Sequence, residues 1–313
     1  MLNIGIIGCG KIAHRVAMGI GFSKNAKLYA VGAREIERAV AFQQRYQVEK
    51  AYGSYEELVQ DEKIDMVYIC TPNGYHYEHI HLCLSHHKHV LCEKPLVSNG
   101  AQLIDCFAYA KQQKCFLMEA EKTLFTPLNQ KIKMMIEEGV IGRIQYIEGS
   151  YGYVLEDMPK DFWGYAKEDG GSAYDVGVYP ICYANYFAQG KLVDIKSIKQ
   201  VEGSGYDVFM QALLRYDNGI CASVRSAWNM GLKNTAYIYG TKGTIITDNF
   251  WKNTSAILAI QDKQIPIEVD MESDFTGEIE HAVAMIEQGL LESPIMSFAA
   301  SKAIMQVLET IKE

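Results

Sequence analysis

The chain has 313 residues, of which 49% are hydrophobic and 22% are charged, and its formal net charge is −8. This length is enough for two domains of ordinary size. The acidic balance and the lack of a basic cluster exclude nucleic acid as an expected partner. No apolar run approaches the roughly 20 residues that span a bilayer, so no membrane association is expected.

The start of the chain and its cysteines indicate a cellular compartment. The first residues, MLNIGIIGCG, lack the basic start and the cleavage site of a secretory signal peptide. The eight cysteines are scattered, form no CxxC pair and often lie in apolar segments. This usage is typical of reduced thiols that are buried as small hydrophobic residues. We therefore expect a cytoplasmic protein.

Residues 1–122 alternate between short apolar strands and helical segments. Strands are predicted at NIGIIG, KLYAVGA, MVYICTP, HVLCEK and CFLMEA, and the sequence between them has helical spacing. Strands with almost no polar alternation are typical of a parallel sheet that helices cover on both faces. These residues are predicted to form a Rossmann-type, doubly wound dinucleotide-binding domain, so that the protein is of the α/β class.

Residues 123–313 follow a different pattern. After one helix at PLNQKIKMMIEEG, strand-like runs predominate from Arg143 onward, and Asn218-Gly219 is suited to a hairpin turn. Helices are expected near residues 174–187 and in the last part of the chain. This part is predicted to be an α+β domain with a mostly antiparallel open sheet.

The string GCGKIA begins at Gly8, directly after the first strand, and opens a helix. Gly8 permits the tight turn, Gly10 lets a diphosphate approach the backbone, and Ala13 lets the helix lie close to the sheet. The diphosphate would meet the positive end of the helix, beside Lys11 and Ile12. The alternative is a glycine-rich turn without a ligand. In this context the string predicts dinucleotide binding.

The end of the second strand, VGAREIER, predicts which dinucleotide binds. An acidic residue there would bind the ribose hydroxyls of NAD. This chain has Ala33 at that place, and Arg34 follows. Arg34 and Arg38 can pair with a 2′-phosphate, so NADP(H) is predicted, with NAD(H) as the alternative. The alternative is that Arg34 binds no cofactor and only caps a surface turn beside Glu35 and Glu37.

A histidine-rich stretch, HYEHIHLCLSHHKH, raises the question of a metal site. The ligands of a metal must converge on one face. His76 and His79 share a helical face, but His81 and His86 do not continue it. The stretch therefore predicts a solvated helix end, and no metal site is expected.

Several separated motifs lie along the chain, namely GIIGCGKIA, CTPNGYHYEH, CEKPL, EDGGSAYDVGVYP and, near the C-terminus, DFTGEIEHAVAMIEQG. Together they resemble the motifs of the Gfo/Idh/MocA oxidoreductases. The resemblance implies a Rossmann domain followed by a domain for substrate binding and oligomerisation, whose open sheet often forms the subunit interface. We therefore expect a homodimer or a higher homo-oligomer with a small-molecule substrate.

The resemblance also implies catalytic residues. In the family the lysine of EKP, here Lys94, lies in the active site beside the nicotinamide; the alternative is a lysine that merely faces solvent. Hydride transfer at a carbinol carbon needs a proton transfer at its oxygen. Tyr179 is predicted to transfer that proton, and Lys94 to favour its ionised form and orient the substrate oxygen. The reverse division of labour is the alternative.

Asp175 lies four residues before Tyr179, so the two are predicted to share a helical face. Asp175 would hold a substrate hydroxyl or orient Lys94, or it would only be an acid at a helix N-terminus. Trp163 is predicted to lie against the cofactor or to form a pocket wall, unless it is a core residue, and Tyr153 is a weaker pocket candidate. Further cofactor contacts are predicted at the sheet edge where the nucleotide should lie, from Thr71, Pro72, Asn73, His76 and Glu93.

One departure from the family concerns the segment MEAEKTLFTP, where many relatives have an arginine and this chain has Leu124. A polar substrate contact is thus expected to be missing. The predicted function is that of an NADP(H)-preferring oxidoreductase acting on a CH–OH or C=O carbon of a sugar, cyclic polyol or related compound. One alternative is a trans-dihydrodiol dehydrogenase or dicarbonyl reductase. The other is a non-catalytic NADP-binding regulator, which has no need of Lys94, Asp175 and Tyr179 together.

Overall fold

The structure, a computed structural model, describes residues 1–156 and 158–313, which form two compact units. The first unit contains Met1–Glu121 and Glu272–Ser301, and the second contains Lys122–Met271 and Lys302–Glu313. The division into domains at residues 122 and 123 stays a prediction. None of the helices in the described ranges is long and apolar enough to cross a membrane.

Helices occur in both units. In chain order the helices of the described residues are α1 (Lys11–Phe22), α2 (Ile36–Tyr46), α3 (Tyr55–Gln60), α4 (His76–Ser85), α5 (Gly100–Gln113), α6 (Pro127–Glu137), α7 (Val178–Ala188), α8 (Thr276–Glu287) and α9 (Phe298–Lys312). Polar side chains start several of them: Ser54 accepts from the Glu57 amide at α3, and Asn99 accepts from the Gln102 amide at α5. Such caps satisfy amides that have no partner within the helix.

The sheet of the first unit is wholly parallel. Its strands are β1 (Leu2–Ile7), β2 (Ala26–Gly32), β3 (Lys50–Tyr52), β4 (Met66–Ile69), β5 (His89–Glu93) and β6 (Leu117–Ala120). They are ordered β3-β2-β1-β4-β5-β6, and every neighbouring pair is parallel. All four residues of β4 are buried, which explains why the strand shows no polar alternation. The predicted Rossmann-type sheet is confirmed.

The sheet of the second unit is mostly antiparallel, as predicted. Its strands are β7 (Ile144–Gly152), β8 (Leu192–Glu202), β9 (Tyr206–Tyr216), β10 (Cys221–Ala227), β11 (Thr235–Gly240), β12 (Thr244–Asp248), β13 (Ser255–Ile260) and β14 (Lys263–Glu268). The order is β14-β13-β12-β11-β7-β10-β9-β8, with one parallel pair, β7 and β10. The predicted hairpin joins β9 to β10, and Gly219 supplies its positive φ of 86°.

Helix α7 packs on one face of this second sheet. A Cβ at Gly149 in β7 would lie 3.0 Å from the Pro180 Cβ, so glycine at this position lets the helix approach closely. Because side chains alternate along a strand, Tyr151 belongs to the same face as Gly149. Glu148 belongs to the opposite face. Predicted site residues of the second unit lie on α7 and next to the face of the sheet that α7 covers.

Three elements were not predicted from the sequence. Strand β3 and helix α3 are short, at 3 and 6 residues. Strand β14, KQIPIE, is the edge of its sheet and is exposed at every position except Ile267. An edge strand tolerates Pro266 and polar residues, so its sequence lacks the pattern of a buried strand.

Candidate active site

The loop after β1 is shaped so that a ligand can approach its backbone. Gly8 has a φ of +93°, and a Cβ there would lie 2.9 Å from the Cys70 carbonyl oxygen, so only glycine fits. Gly10 is the residue that precedes α1, and a Cβ at Gly10 would meet no atom within 4 Å. The space beside the Cα of Gly10 is therefore open. The other residues of the string are exposed Lys11, half-buried Ile12 and buried Ala13.

This loop lies where the strand order of the sheet reverses. The chain runs outward from β1 to β2 and β3, and then returns to the other side of β1 as β4. In such sheets the ligand lies at the carboxyl ends of the two strands beside this reversal. Gly8 follows β1 and Thr71 follows β4, so both occupy that edge. The glycine cradle and the open helix end fit a dinucleotide diphosphate.

Two arginines follow β2, as predicted, and one of them reaches the loop. The Arg38 guanidinium lies 3.5 Å from the Cys9 carbonyl oxygen. Burial raises the pKa of the Cys9 thiol to about 11, and the charge of Arg38 partly opposes this. Arg34 is exposed, and the charges of Arg34 and Arg38 both act on the hydroxyl of Tyr55. The arginines therefore place two positive charges near this end of the sheet.

His76 connects two loops at the same edge. It is fully buried, with Nε2 2.8 Å from the Thr71 carbonyl oxygen and Nδ1 2.9 Å from that of Pro95. Burial lowers the pKa of His76, and hydrogen bonds to these carbonyls oppose the shift. The prediction of a solvated helix end is thus wrong for His76, because this residue occupies a core position and its ring is hydrogen-bonded to two backbone carbonyls. Whether His76 contacts a cofactor stays a prediction.

The other residues that follow β4 are placed at the sheet edge as well. Thr71 is buried, and its Oγ1 lies 2.9 Å from the Nδ1 of His79. Asn73 is buried and Pro72 is exposed.

Within the described ranges, no group of three or more His, Cys, Asp or Glu residues could hold a metal ion.

Glu93, the last residue of β5, is buried in a hydrogen-bonded group. The Tyr68 hydroxyl lies 3.1 Å from Oε1 of Glu93 and 2.7 Å from Oε1 of Glu278 in α8. Burial is the main cause that raises the pKa of the Tyr68 hydroxyl, and the negative charges of Glu278 and then of Glu93 raise it further. Tyr68 therefore keeps its proton and can donate it in a hydrogen bond. This contact anchors the strand end that precedes Lys94.

The turn that carries Lys94 is held on its far side by a carboxylate. The peptide bond between Lys94 and Pro95 is cis. The Leu96 amide donates to Oε1 of Glu119 at 3.1 Å, and the Ser301 hydroxyl donates to Oε2 at 2.6 Å. Burial raises the pKa of Glu119 to about 7. Half-buried Lys94 thus follows a strand whose end and turn are both fixed.

In the second unit, Asp175 lies in a π-helical turn that leads directly into α7. The turn spans Ala173–Gly177, and π-turns inside helices are frequent at functional sites. Oδ2 of Asp175 accepts from the Tyr153 hydroxyl at 3.0 Å and from Nε1 of Trp228 at 3.2 Å. Two side chains therefore hold this carboxylate. The alternative, an acid that only lies at a helix N-terminus, does not explain these two contacts.

Tyr179 follows one turn later and lies among aromatic rings. It is 9% exposed, and its ring centroid is 5.8 Å from that of Tyr151 and 6.2 Å from that of Trp251. Tyr151 stacks on Trp251 with centroids 3.6 Å apart. The Tyr151 ring also lies 6.3 Å from that of Tyr153, the donor to Asp175. Asp175 and Tyr179 therefore belong to one aromatic-lined group, connected through Tyr151 and Tyr153; their catalytic roles stay predictions.

Sequence reasoning missed Lys122, Trp228 and Trp251 in this group. Lys122 is 4% exposed, and its Nζ lies 5.9 Å from the centroid of the Tyr179 ring. The only sequence signal was a lysine just before the buried residues of TLF in the segment where Leu124 replaces an arginine. Trp163 is half-buried, with its ring 5.2 Å from that of Phe162; its contact with a cofactor stays a prediction.

Two family models match the chain. One, for the oxidoreductase family with an NAD-binding Rossmann fold, matches residues 2–121. The other, for the GFO/IDH/MocA C-terminal domain, matches residues 129–246. The two matches correspond to the strands that form the parallel sheet and to most strands of the antiparallel sheet.

Individual relatives are similar over almost the whole chain. The trans-1,2-dihydrobenzene-1,2-diol dehydrogenase of Mus musculus is 31% identical, over 100% of this chain and 96% of that protein. The enzyme of the same name from Xenopus tropicalis is 32% identical, over 97% and 95%. A crystal structure of a 3-ketoreductase from Actinomadura kijaniata, in complex with NADP and TDP-benzene, is 25% identical with a TM-score of 0.88, over 99% and 97%. The chain therefore belongs, as its motifs indicated, to the Gfo/Idh/MocA family of oxidoreductases.

Proposed function

We propose that the protein is an NADP(H)-preferring oxidoreductase acting on a CH–OH or C=O carbon of a sugar, a cyclic polyol or a related ring compound that carries hydroxyl groups. The observation that carries this proposal is the group of Asp175 and Tyr179 on an aromatic-lined face, in a chain of this family. Aromatic side chains offer flat apolar surfaces against which a ring can pack. The cofactor, when bound, accepts or returns the hydride.

Within this proposal each polar residue has a separate task. Tyr179 takes the proton of the substrate hydroxyl during oxidation and returns it during reduction. Asp175, oriented by Tyr153 and Trp228, accepts a hydrogen bond from a neighbouring hydroxyl of the substrate. Lys94 is proposed as the second catalytic residue from the family motif alone.

The cofactor assignment rests on the first unit. Gly8 and Gly10 leave room for the diphosphate, and Arg34 and Arg38 offer guanidinium groups for a 2′-phosphate. The related 3-ketoreductase was crystallised with NADP, which supports the same choice. Thr71, Pro72, Asn73, His76 and Glu93 are proposed as further cofactor contacts, and Trp163 as a wall residue.

A trans-dihydrodiol dehydrogenase is the second candidate within the same reaction class. The names of the relatives from Mus musculus and Xenopus tropicalis favour it. The lack of an arginine at Leu124 also favours a less polar substrate than a sugar. Comparing turnover of cyclic trans-diols with that of sugars separates the two candidates.

We also propose that the protein forms a homodimer or a higher homo-oligomer through the open face of the second sheet. Leu213 in β9 is 53% exposed and shares this face with Arg225, which pairs with Glu148. The stacked rings of Tyr237 and Tyr239 belong to the same face. Exposed apolar and aromatic residues of this kind mark interaction surfaces.

The catalytic assignment is tested with Tyr179→Phe and Lys94→Ala. We expect each to lower kcat by about 10²- to 10⁴-fold, the usual contribution of a positioned proton donor, while NADPH affinity stays within about threefold of the wild type. Tyr186→Phe, also in α7, is the matched control and should retain full turnover. Near-normal turnover in both Tyr179→Phe and Lys94→Ala would refute the assignment.

A further inference from the structure

Lys122 is a buried lysine beside the tyrosine that is proposed to transfer the proton. It is 4% exposed, and its Nζ lies 5.9 Å from the centroid of the Tyr179 ring. Lysine is rarely buried to this degree, because taking an ammonium group out of water costs free energy. A buried charge close to a titratable group is a feature of functional sites.

The backbone that carries Lys122 is fixed by a buried amide network. Lys122 begins a 3₁₀ turn, Lys122–Phe125, in which every residue is buried. Nδ2 of Asn129 donates to the Thr123 carbonyl at 2.7 Å and to the Phe250 carbonyl at 2.8 Å, and Nδ2 of Asn253 donates to Oδ1 of Asn129 at 2.9 Å. This network connects the turn to the segment that bears Trp251. The position of Lys122 is therefore set by the same contacts that place the aromatic group.

The interaction of a cation with a tyrosine depends strongly on the state of the hydroxyl. A neutral ring attracts the ammonium of Lys122 only through its quadrupole. A phenolate carries a full negative charge, and in a partly buried site its attraction to a nearby cation is several times stronger. Lys122 thus favours the phenolate form of Tyr179 over the phenol.

Two aromatic side chains and one carboxylate of the second unit belong to the same group as Tyr179. Tyr151 and Trp251 have no charge and exclude water from the ring. The carboxylate of Asp175 opposes the phenolate, and it is held by hydrogen bonds from Tyr153 and Trp228.

We propose that Lys122 is a positioning residue that stabilises the phenolate of Tyr179 and thereby sets the pH range in which the protein oxidises its substrate. This inference rests on the proposed function. There, Tyr179 receives the proton of the substrate hydroxyl, and the carbon that bears this hydroxyl gives its hydride to the cofactor. The proton on Tyr179 then passes to solvent, which restores the phenolate. Nothing beyond the oxidised cofactor and the substrate is consumed.

The first test is the pH profile of kcat/KM for oxidation, with Lys122→Met, Lys122→Arg and a control. In Lys122→Met we expect the basic group of the profile to ionise about one pH unit higher or more, a tenfold change in the ionised fraction. Lys122→Arg keeps the charge and should restore the wild-type profile. Lys133→Met is the matched control, because the Nζ of Lys133 lies 4.9 Å from the centroid of the Tyr186 ring in the same unit. It should not move the profile.

The second test does not need turnover. Tyrosine labelled with ¹³C at Cζ is titrated by NMR, and the resonance of Tyr179 is assigned by its loss in Tyr179→Phe. We expect Tyr179 to ionise at least about one pH unit higher in Lys122→Gln, which also serves if Lys122→Met fails to fold. An unchanged titration would overturn the inference. A shifted titration in a protein whose Tyr179→Phe variant keeps full turnover would support the stabilisation of the phenolate by Lys122. It would refute the proposed role of Tyr179 and, with it, the effect of Lys122 on the pH range of oxidation.

Discussion

A tyrosine in water ionises at about pH 10, so it is a poor base at neutral pH unless cations stabilise its phenolate. Tyr179 has such a cation in Lys122, and Lys94 is the second that we propose. The family motif led to Asp175 and Tyr179 because both lie in one continuous segment. It did not lead to Lys122, Trp228 or Trp251, because their places depend on where distant segments meet.

Arg34 is the residue on which the cofactor preference depends most. Removing its guanidinium in Arg34→Ala should weaken NADPH binding about 10- to 100-fold, since a charge-assisted contact to a phosphate is lost. NADH has no 2′-phosphate, so its affinity should change little. Fluorescence titration with both dinucleotides measures the preference, and Arg45→Ala, in the last turn of α2, is the control. An unchanged ratio of the two affinities in Arg34→Ala would show that the arginine only occupies a surface turn.

At the scale of elements, the strand ends of the first sheet were predictable because fully buried strands form apolar runs. Edge strand β14 and the π-turn before α7 were not predictable. An exposed edge lacks the apolar pattern, and a π-turn differs from an α-turn only in its hydrogen bonds. The hydrogen bond that holds the Lys94 turn was also not predictable, because Glu119 lies 25 residues after Lys94, on the neighbouring strand β6. Only the parallel pairing of β5 and β6 brings the Glu119 carboxylate to the Leu96 amide.

Glu119 should make stability depend on pH. Its pKa is about 7 in the folded protein, above the ordinary value of a glutamate, so the folded state binds the proton more tightly than the unfolded state does. The contribution is fully present below about pH 4.5 and is lost as pH rises through 7. The loss amounts to about 3 kcal/mol.

The neutral variant Glu119→Gln isolates this contribution. The free energy of unfolding of Glu119→Gln minus that of the wild type should rise by about 3 kcal/mol between pH 4.5 and pH 8. Denaturant unfolding at the two pH values measures it, and Glu138→Gln, at an exposed position, is the control. The same difference at both pH values would mean that burial does not disturb the carboxyl group.

At the scale of the whole molecule, the second sheet has one face covered by α7 and one face open. Leu213→Lys introduces a charge on the open face and should convert a dimer to monomers, because burying an unpaired ammonium is costly. Sedimentation at micromolar concentration measures the change. Ile104→Lys is the control, since Ile104 in α5 is 55% exposed and lies in the first unit. A wild-type protein that sediments as a monomer would contradict the proposed interface.

The central claim is that this chain transfers hydride between NADP(H) and a hydroxylated ring compound. The most direct measurement is the reduction of NADP⁺, followed by the absorbance of the reduced nicotinamide, with a panel of sugars, cyclic polyols and cyclic trans-diols. We expect at least one ring compound to reduce NADP⁺ faster than NAD⁺, and Tyr179→Phe to lower the rate by about 10²- to 10⁴-fold. Tight binding of NADPH without turnover of any compound in either direction would contradict the claim and favour a regulator that only senses the cofactor.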